Sequence, residues 1–328
     1  MNITEIQKKL AAAFGPSGQE SAVADVIEKI AAPFADEVRR DVLGSLIVRK
    51  KGTGKKVMFS AHMDTIGLIV THIDKKGFAR FAKIGGVPNG VSGAKVVFAN
   101  GTRGIVFADR HFTESKSTDD MYIDVGAENA DAARGVISVG DIAVYDGDVR
   151  VQGDRLLSPY LDNRISCAVL LRALEEIKNP KNDLYFVFSA QKEIGLRGAK
   201  TAAFGIDPDY GFAVDVTDAG DTPERKPVNE CFLGGGAAIK HMDSFVLCHP
   251  KVIEYLHNAA EKNNVKVQRE VLRAGGTDAG AIHSTRAGVY TGAISVPTRY
   301  IHNSTEMCDL RDVEECVKLA VLAADIEL

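Results

Sequence analysis

Apolar residues recur at helical spacing in five stretches of the chain, 3–14, 20–32, 163–177, 250–263 and 313–326, and each predicts a helix with one apolar stripe. Short apolar runs bounded by turn residues predict strands at 56–60, 184–189, 210–214 and 291–296. Runs that are apolar throughout suit strands covered on both faces. Their alternation with helices predicts an α/β fold with a mostly parallel central sheet flanked by helices. Between residues 67 and 155 the texture changes. Glycine recurs, Val and Ile alternate with polar residues, as in 93–98, 104–107 and 140–145, and long helical patterns are missing. Several short strands with frequent turns predict a small β-barrel or sandwich. The expected architecture is an α/β domain built from 1–67 and 155–328, with an inserted β-barrel at 68–154.

Length and composition agree with this picture. A chain of 328 residues exceeds one ordinary core and suits a large domain plus a smaller one. The apolar fraction of 45% and charged fraction of 26% are those of a folded globular protein. With a net charge of −4 and no Lys/Arg block, nucleic acid is not an expected partner. Glu5, Lys8 and Lys9 interrupt the first ten residues, which read as an amphipathic helix rather than a signal peptide. Nowhere do apolar residues run far enough to predict a membrane span. The five cysteines, Cys167, Cys231, Cys248, Cys308 and Cys316, form no C-x-x-C pair and read as reduced, buried thiols of a cytoplasmic protein. Any metal is then expected on His and carboxylate ligands.

Five segments place such residues at strand ends or helix starts. Ser60-Ala61-His62-Met63-Asp64 follows the strand 56–60, and ligands of open α/β sheets bind outside the carboxyl ends of strands. Asp64, two residues on, could hydrogen-bond the second nitrogen of a metal-bound His62. Asp162 precedes the helix 163–177 and reads either as its N-cap or as a carboxylate bridging two metals. Glu193 in Gln191-Lys192-Glu193 and Asp215 in Val214-Asp215-Val216 follow further strands; a buried Asp215 needs a cation, supplied by a metal or by Arg or Lys. His302 follows the strand 291–296, as a ligand or as a structural hydrogen-bonder. Two histidines and three carboxylates suit two borderline cations such as Zn²⁺ or Co²⁺, and such a pair supports peptide hydrolysis.

Seven motifs in order extend the pattern: Gly15-Pro16-Ser17-Gly18, Ala61-His62-Met63-Asp64, Leu161-Asp162-Asn163-Arg164, Glu193-Ile194-Gly195-Leu196-Arg197-Gly198-Ala199, Asp215-Val216-Thr217-Asp218-Ala219-Gly220-Asp221, Gly275-Gly276-Thr277-Asp278-Ala279 and Arg299-Tyr300-Ile301-His302. With them the chain resembles, nearly end to end, the glutamyl and deblocking aminopeptidases, the tetrahedral family of dinuclear metallopeptidases. The resemblance implies a zinc-peptidase fold and two divalent ions per subunit, zinc or cobalt. It implies that Asp162 bridges both, that His62 and Asp215 complete one site, and that Glu193 and His302 complete the other. Asp64 then orients His62, and Gly275, Gly276, Thr277 and Asp278 line the substrate pocket. The inserted barrel corresponds to the family's dimerisation domain. Dimers of such proteins build hollow dodecamers that admit peptides and short unfolded chains.

Two positions depart from the family pattern. Thr65 stands where Glu is usual after Asp64, and Lys192 stands where the pattern Gln-Glu-Glu has its general base. An ammonium has no lone pair with which to take a proton from water. Two readings of Lys192 stay open: a neutral amine acting as base beside the cations, or an impaired homologue that binds peptide or metal. A glycoside hydrolase, which needs two carboxyl groups about the sugar bond, is a remote alternative, because it has no use for His62 and His302 beside three acids.

Overall fold

In the computed structural model, residues 1–109, 117–223 and 230–328 are described. Four strands form the centre of the larger sheet, in the order Asp183–Ser189, Lys56–His62, Tyr210–Asp218, Tyr290–Arg299, and all four are parallel. Antiparallel strands extend both sides: Leu46–Lys50 and Glu37–Arg40 beyond the first, Glu306–Asp309 and Arg155–Ser158 beyond the last. The sheet is thus parallel where it is buried and mixed towards its edges.

The apolar runs are continuous because both faces are covered. Along Lys56–His62, Val57, Phe59 and Ala61 join the main core, while Met58 joins a second cluster on the opposite face. Phe59 is stacked between Phe186 and Phe212 of the adjoining strands, with ring centroids 5.3 Å away on each side. Fully burying one such ring contributes about 1.5–3 kcal/mol. Of the five predicted helices, Leu161–Glu176 lies deepest and packs against the Tyr210–Asp218 strand and the last helix, Leu310–Ala323. That last helix starts earlier than periodicity predicts, because the Asp309 side chain accepts the Arg311 N–H and caps it. A helix at Arg197–Ile206 was not predicted. Its buried face is Gly198, Ala199, Ala202, Ala203 and Ile206, four small residues and one large one, too little to register as an apolar stripe.

Six strands, Gly67–Ile73, Ala79–Ile84, Lys95–Phe98, Arg103–Ala108, Met121–Asp124 and Ile142–Tyr145, close into the barrel expected from the glycine-rich segment. The strand Arg103–Ala108 shows why: Gly104, Val106 and Ala108 are buried, while Ile105 and Phe107 face outward at 48% and 43% exposure. No described helix is long and apolar enough to cross a membrane.

Candidate metal centre

The parallel strands all deliver their carboxyl ends to one edge, and the acidic and imidazole side chains gather there. His62 ends its strand, and Asp215 sits within Tyr210–Asp218. Glu193 and His302 lie in the loops after Asp183–Ser189 and Tyr290–Arg299, and Asp162 occupies the first turn of Leu161–Glu176. Asp162 is central. One of its oxygens is 2.9 Å from His62 Nε2 and the other 3.1 Å from His302 Nε2. Asp215 Oδ1 is 3.6 Å from His62 Nε2, and Glu193 Oε1 is 3.4 Å from His302 Nε2. All five sequence-predicted ligands therefore meet.

Both imidazoles are oriented through their other nitrogen. His62 Nδ1 is 3.0 Å from the Asp64 carbonyl and 3.5 Å from the Asp64 carboxylate, and His302 Nδ1 is 3.0 Å from the Gly86 carbonyl. An Nδ1–H donated to these oxygens leaves each Nε2 lone pair pointing into the cluster. Asp64 is itself fixed, accepting from Ser17 Oγ and from the backbone N–H groups of Lys192 and Glu193. It thereby ties His62 to the Glu193 loop. Burial pushes the Asp64 carboxyl up, but His62, Ser17 and the Lys192 N–H outweigh it and hold its pKa low.

Three atoms lack what burial requires. His62 Nε2, Asp162 Oδ1 and Glu193 Oε1 are buried without an aligned hydrogen-bond partner, and these three residues each place a ligand atom within 4.8 Å of the others. Leaving a buried polar atom unpaired costs about 1–3 kcal/mol. A divalent cation among them satisfies all three at once, and one imidazole with two carboxylates is a donor set that zinc-like ions accept. The residues present fit a metal.

Backbone strain marks the same place. Tyr160, Gln191, Tyr300 and His302 have φ of 60°, 56°, 62° and 68°, in the left-handed region, and each is a ligand or lies within two residues of one. Such conformations cost about 1–3 kcal/mol each and persist where surrounding contacts fix them. One fixing contact went unread in the sequence: Glu306. Its two oxygens accept the backbone N–H groups of Asp162 and His302, each at 2.8 Å, so one buried carboxylate ties two ligand-bearing loops together. Burial, and then the adjacent Asp162, push its pKa up. Gly86 was also missed. It comes from the loop after a barrel strand, and a Cβ there would stand 2.6 Å from the His302 ring, so only glycine admits the contact.

Lys192 enters the cluster as a cation. Its Nζ is 3.6 Å from Asp215 Oδ2 and 3.8 Å from Asp162 Oδ1, with the side chain 11% exposed. Burial pulls its pKa down, but Asp162, Asp215 and Glu193 outweigh burial and hold it well above the ordinary lysine value.

Two cavities flank the cluster. The larger, about 820 Å³, is lined by Lys192, Glu193 and His302 on the side of the cluster and also by Leu196, Phe204 and Phe245. The smaller, about 560 Å³, is bordered by Asp162, Asp215, Asp218 and Tyr300. Gly275 and Gly276 line both, and Thr277 lines the smaller one. Asp278 reaches neither: it is 2% exposed and accepts from Ser60 Oγ and Ser189 Oγ, each at 2.6 Å, within the strand ends that carry His62 and Glu193.

The family model for the M42 glutamyl aminopeptidases matches residues 44–319. The chain belongs to this family. A curated protein of Acetivibrio thermocellus is 46% identical over 322 residues, covering 97% of each chain. The lysyl aminopeptidase of Pyrococcus furiosus is 38% identical, covering 96% of this chain and 95% of its own. Among solved structures, the TET1 peptidase of Pyrococcus horikoshii, which assembles into a tetrahedron or a large octahedral shell, superposes with a TM-score of 0.90 at 30% identity, covering 98% and 99% of the two chains. As a member of the M42 aminopeptidases, the protein is an enzyme that hydrolyses peptides.

Proposed function

We propose that the protein is a metal-dependent aminopeptidase whose centre holds two divalent cations, zinc or cobalt, on His62, Asp162, Glu193, Asp215 and His302, with Asp162 shared. The observation that carries this reading is the trio of buried ligand atoms left without partners, on His62, Asp162 and Glu193. Bound there, the pair would supply Lewis acidity for the scissile carbonyl and lower the pKa of a water. The chain's own residues supply the remainder. Asp64 and Gly86 hold the two imidazoles in the tautomer that ligation requires. Glu306 holds the Asp162 and His302 loops in register. Lys192, an ammonium, donates hydrogen bonds towards oxygen that gathers negative charge and takes no proton from water.

The amino-terminal side chain of the peptide occupies the larger cavity, against Leu196, Phe204 and Phe245. Lys200 and Arg286 line that cavity, and Glu193 is its only carboxylate among the described residues. Arg286 is engaged by the Phe204 carbonyl and by Asp207 at 3.4 Å, whereas Lys200 has no carboxylate within ion-pair distance among the described residues. Acidic and neutral amino-terminal residues are favoured over basic ones. The outward Ile105 and Phe107 support a barrel that pairs subunits into dimers and dimers into a dodecamer, and five buried free cysteines support a cytoplasmic setting.

Metal content and turnover measured together test the centre. Protein stripped with a strong chelator should lose hydrolysis of aminoacyl reporters and regain it with Zn²⁺ or Co²⁺ at two ions per subunit. Full activity in the stripped protein would refute the proposal.

A further inference from the structure

Four of the eight histidines, His241, His249, His257 and His283, line a single cavity of about 700 Å³ that contains none of the metal-cluster residues. Its place in the fold separates it from the active centre. Thr291, on its wall, is the second residue of the strand whose other end leads to His302, and His241 lies on Ala237–Met242, which runs antiparallel to that strand. The helix Pro250–Lys262 presents Ile253, Glu254 and His257 to the cavity, and Arg269 comes from the strand Val267–Val271.

One guanidinium and four imidazoles dominate the polar lining, and Arg269 is exposed. Arg269 Nη1 is 3.5 Å from His241 Nε2, and among the described residues Arg269 has no carboxylate within ion-pair distance. His257 Nε2 is buried without a partner. His249 Nδ1 accepts the Lys251 N–H, which leaves the proton on Nε2. Burial, then Arg269, hold His241 and His257 below the ordinary imidazole pKa, so both rings are neutral and Arg269 is the cation of the site. Glu254 is the lone carboxylate on the wall among the described residues, and Leu247, Ile253 and Val289 supply apolar surface. Three described ligand atoms close enough to share a metal occur only at His62, Asp162 and Glu193, so the four imidazoles are not a second metal cage.

We propose that this cavity binds a free amino acid with an apolar side chain: its carboxylate on Arg269, its ammonium on Glu254, its side chain against Leu247, Ile253 and Val289. Cation, anion and apolar wall match the three parts of that molecule, which is also what removal of an apolar amino-terminal residue releases. A charge-assisted pair of this kind supports tenfold or more in affinity by a rough estimate.

The test is a titration of the metal-loaded enzyme with L-leucine, read from the assigned imidazole NMR signals of His241 and His257 so that leucine in the active centre does not count. Leucine should shift both signals saturably. 3-Methylbutan-1-amine, which lacks the carboxylate and has no bond for the enzyme to hydrolyse, and 4-methylpentanoate, which lacks the ammonium, should leave them in place at the concentration that half-saturates with leucine. Arg269→Gln should weaken the leucine response by about tenfold or more while hydrolysis of a leucine reporter stays at the wild-type rate. If Arg269→Gln proves poorly folded, Glu254→Gln on the exposed helix face serves in its place with the same expectation. Signals that do not move with leucine, that move equally with either analogue, or that respond unchanged in the variant would each overturn the proposal.

Discussion

Two clusters of buried charge lie within the α/β domain, and they are built on opposite terms. Lys240 is fully buried with Glu270 in direct contact and Asp243 Oδ2 3.8 Å away, and Asp243 is further satisfied by Thr277 and by the backbone N–H groups of Phe245 and Val246. That cluster brings its own counter-ion. At the strand ends, Asp162, Asp215 and Glu193 surround one ammonium, and ligand atoms on His62, Asp162 and Glu193 stay unpaired. Burial of charge is common to both, so it does not identify a site. Glu270 Oε2 is itself without a partner, so a single orphaned oxygen does not identify a site either; what separates the two is that three such atoms, on His62, Asp162 and Glu193, belong to residues whose ligand atoms converge within 4.8 Å, where one cation can meet them all.

The sharpest way to test the second cluster is through its resident cation. Lys192→Glu replaces the ammonium beside Asp162 and Asp215 with a carboxylate that can take a proton. A general base contributes about 10²–10⁴-fold, so turnover of the metal-loaded variant should rise by that order. An unchanged rate would show that Lys192 already does the work of the base.

The Lys240 cluster should fail differently. Glu270→Leu leaves a buried ammonium with only Asp243 nearby, and should cost about 3–5 kcal/mol in denaturant unfolding. Adding Lys240→Met should return most of that loss, because an apolar pair of similar volume suits a dry interior. Equal instability of the single and double variants would mean that the pair contributes specific stability, and the contrast with the metal centre would weaken.

The protons on the unloaded centre give a third measurement. Burial pulls the His302 imidazole down, but Asp162 and Glu193 outweigh it and carry its pKa up to about 11; burial and Lys192 likewise pull His62 down, and Asp215 and Asp162 carry it well above the usual value. Without metal both rings are therefore protonated at neutral pH, and ligation must displace those protons. The sign follows: affinity rises with pH below the raised pKa values, by up to about tenfold per proton per pH unit. Calorimetry in buffers of different ionisation enthalpy should register release of protons on Zn²⁺ binding. Uptake or no exchange would mean that the imidazoles are not ligands.

Much of the centre was legible because its residues sit where strand ends announce them. His62, Asp162, Glu193, Asp215 and His302 each follow an apolar run or precede an apolar helix, and a parallel sheet brings such positions to one edge. What stayed hidden depends on contacts across the chain. Glu306 lies only four residues beyond His302, but its hold on the Asp162 and His302 backbones requires the antiparallel pairing of Glu306–Asp309 with both Arg155–Ser158 and Tyr290–Arg299. Gly86 belongs to a different lobe from the histidine it orients. The helix Arg197–Ile206, which carries Lys200 and Phe204 into the larger cavity, buries small residues apart from Ile206 and so lacks the periodic signal of its longer neighbours.

That helix sets the smallest of the expected effects. Lys200 is exposed, so water and salt screen its charge, and its influence on a substrate side chain amounts to about tenfold or less in either direction. Lys200→Glu should lower kcat/KM for a glutamyl reporter, raise it for a lysyl reporter, and leave a leucyl reporter nearly unchanged, since Leu196 and Phe245 are untouched. The change should shrink between low and high salt, as a charge effect must. A swing that persists in high salt, or that also moves the leucyl reporter, would assign the selectivity to shape, through the Phe204 and Arg286 stack at 4.1 Å, rather than to the unpaired charge that distinguishes this cavity from the buried ion pair at Lys240.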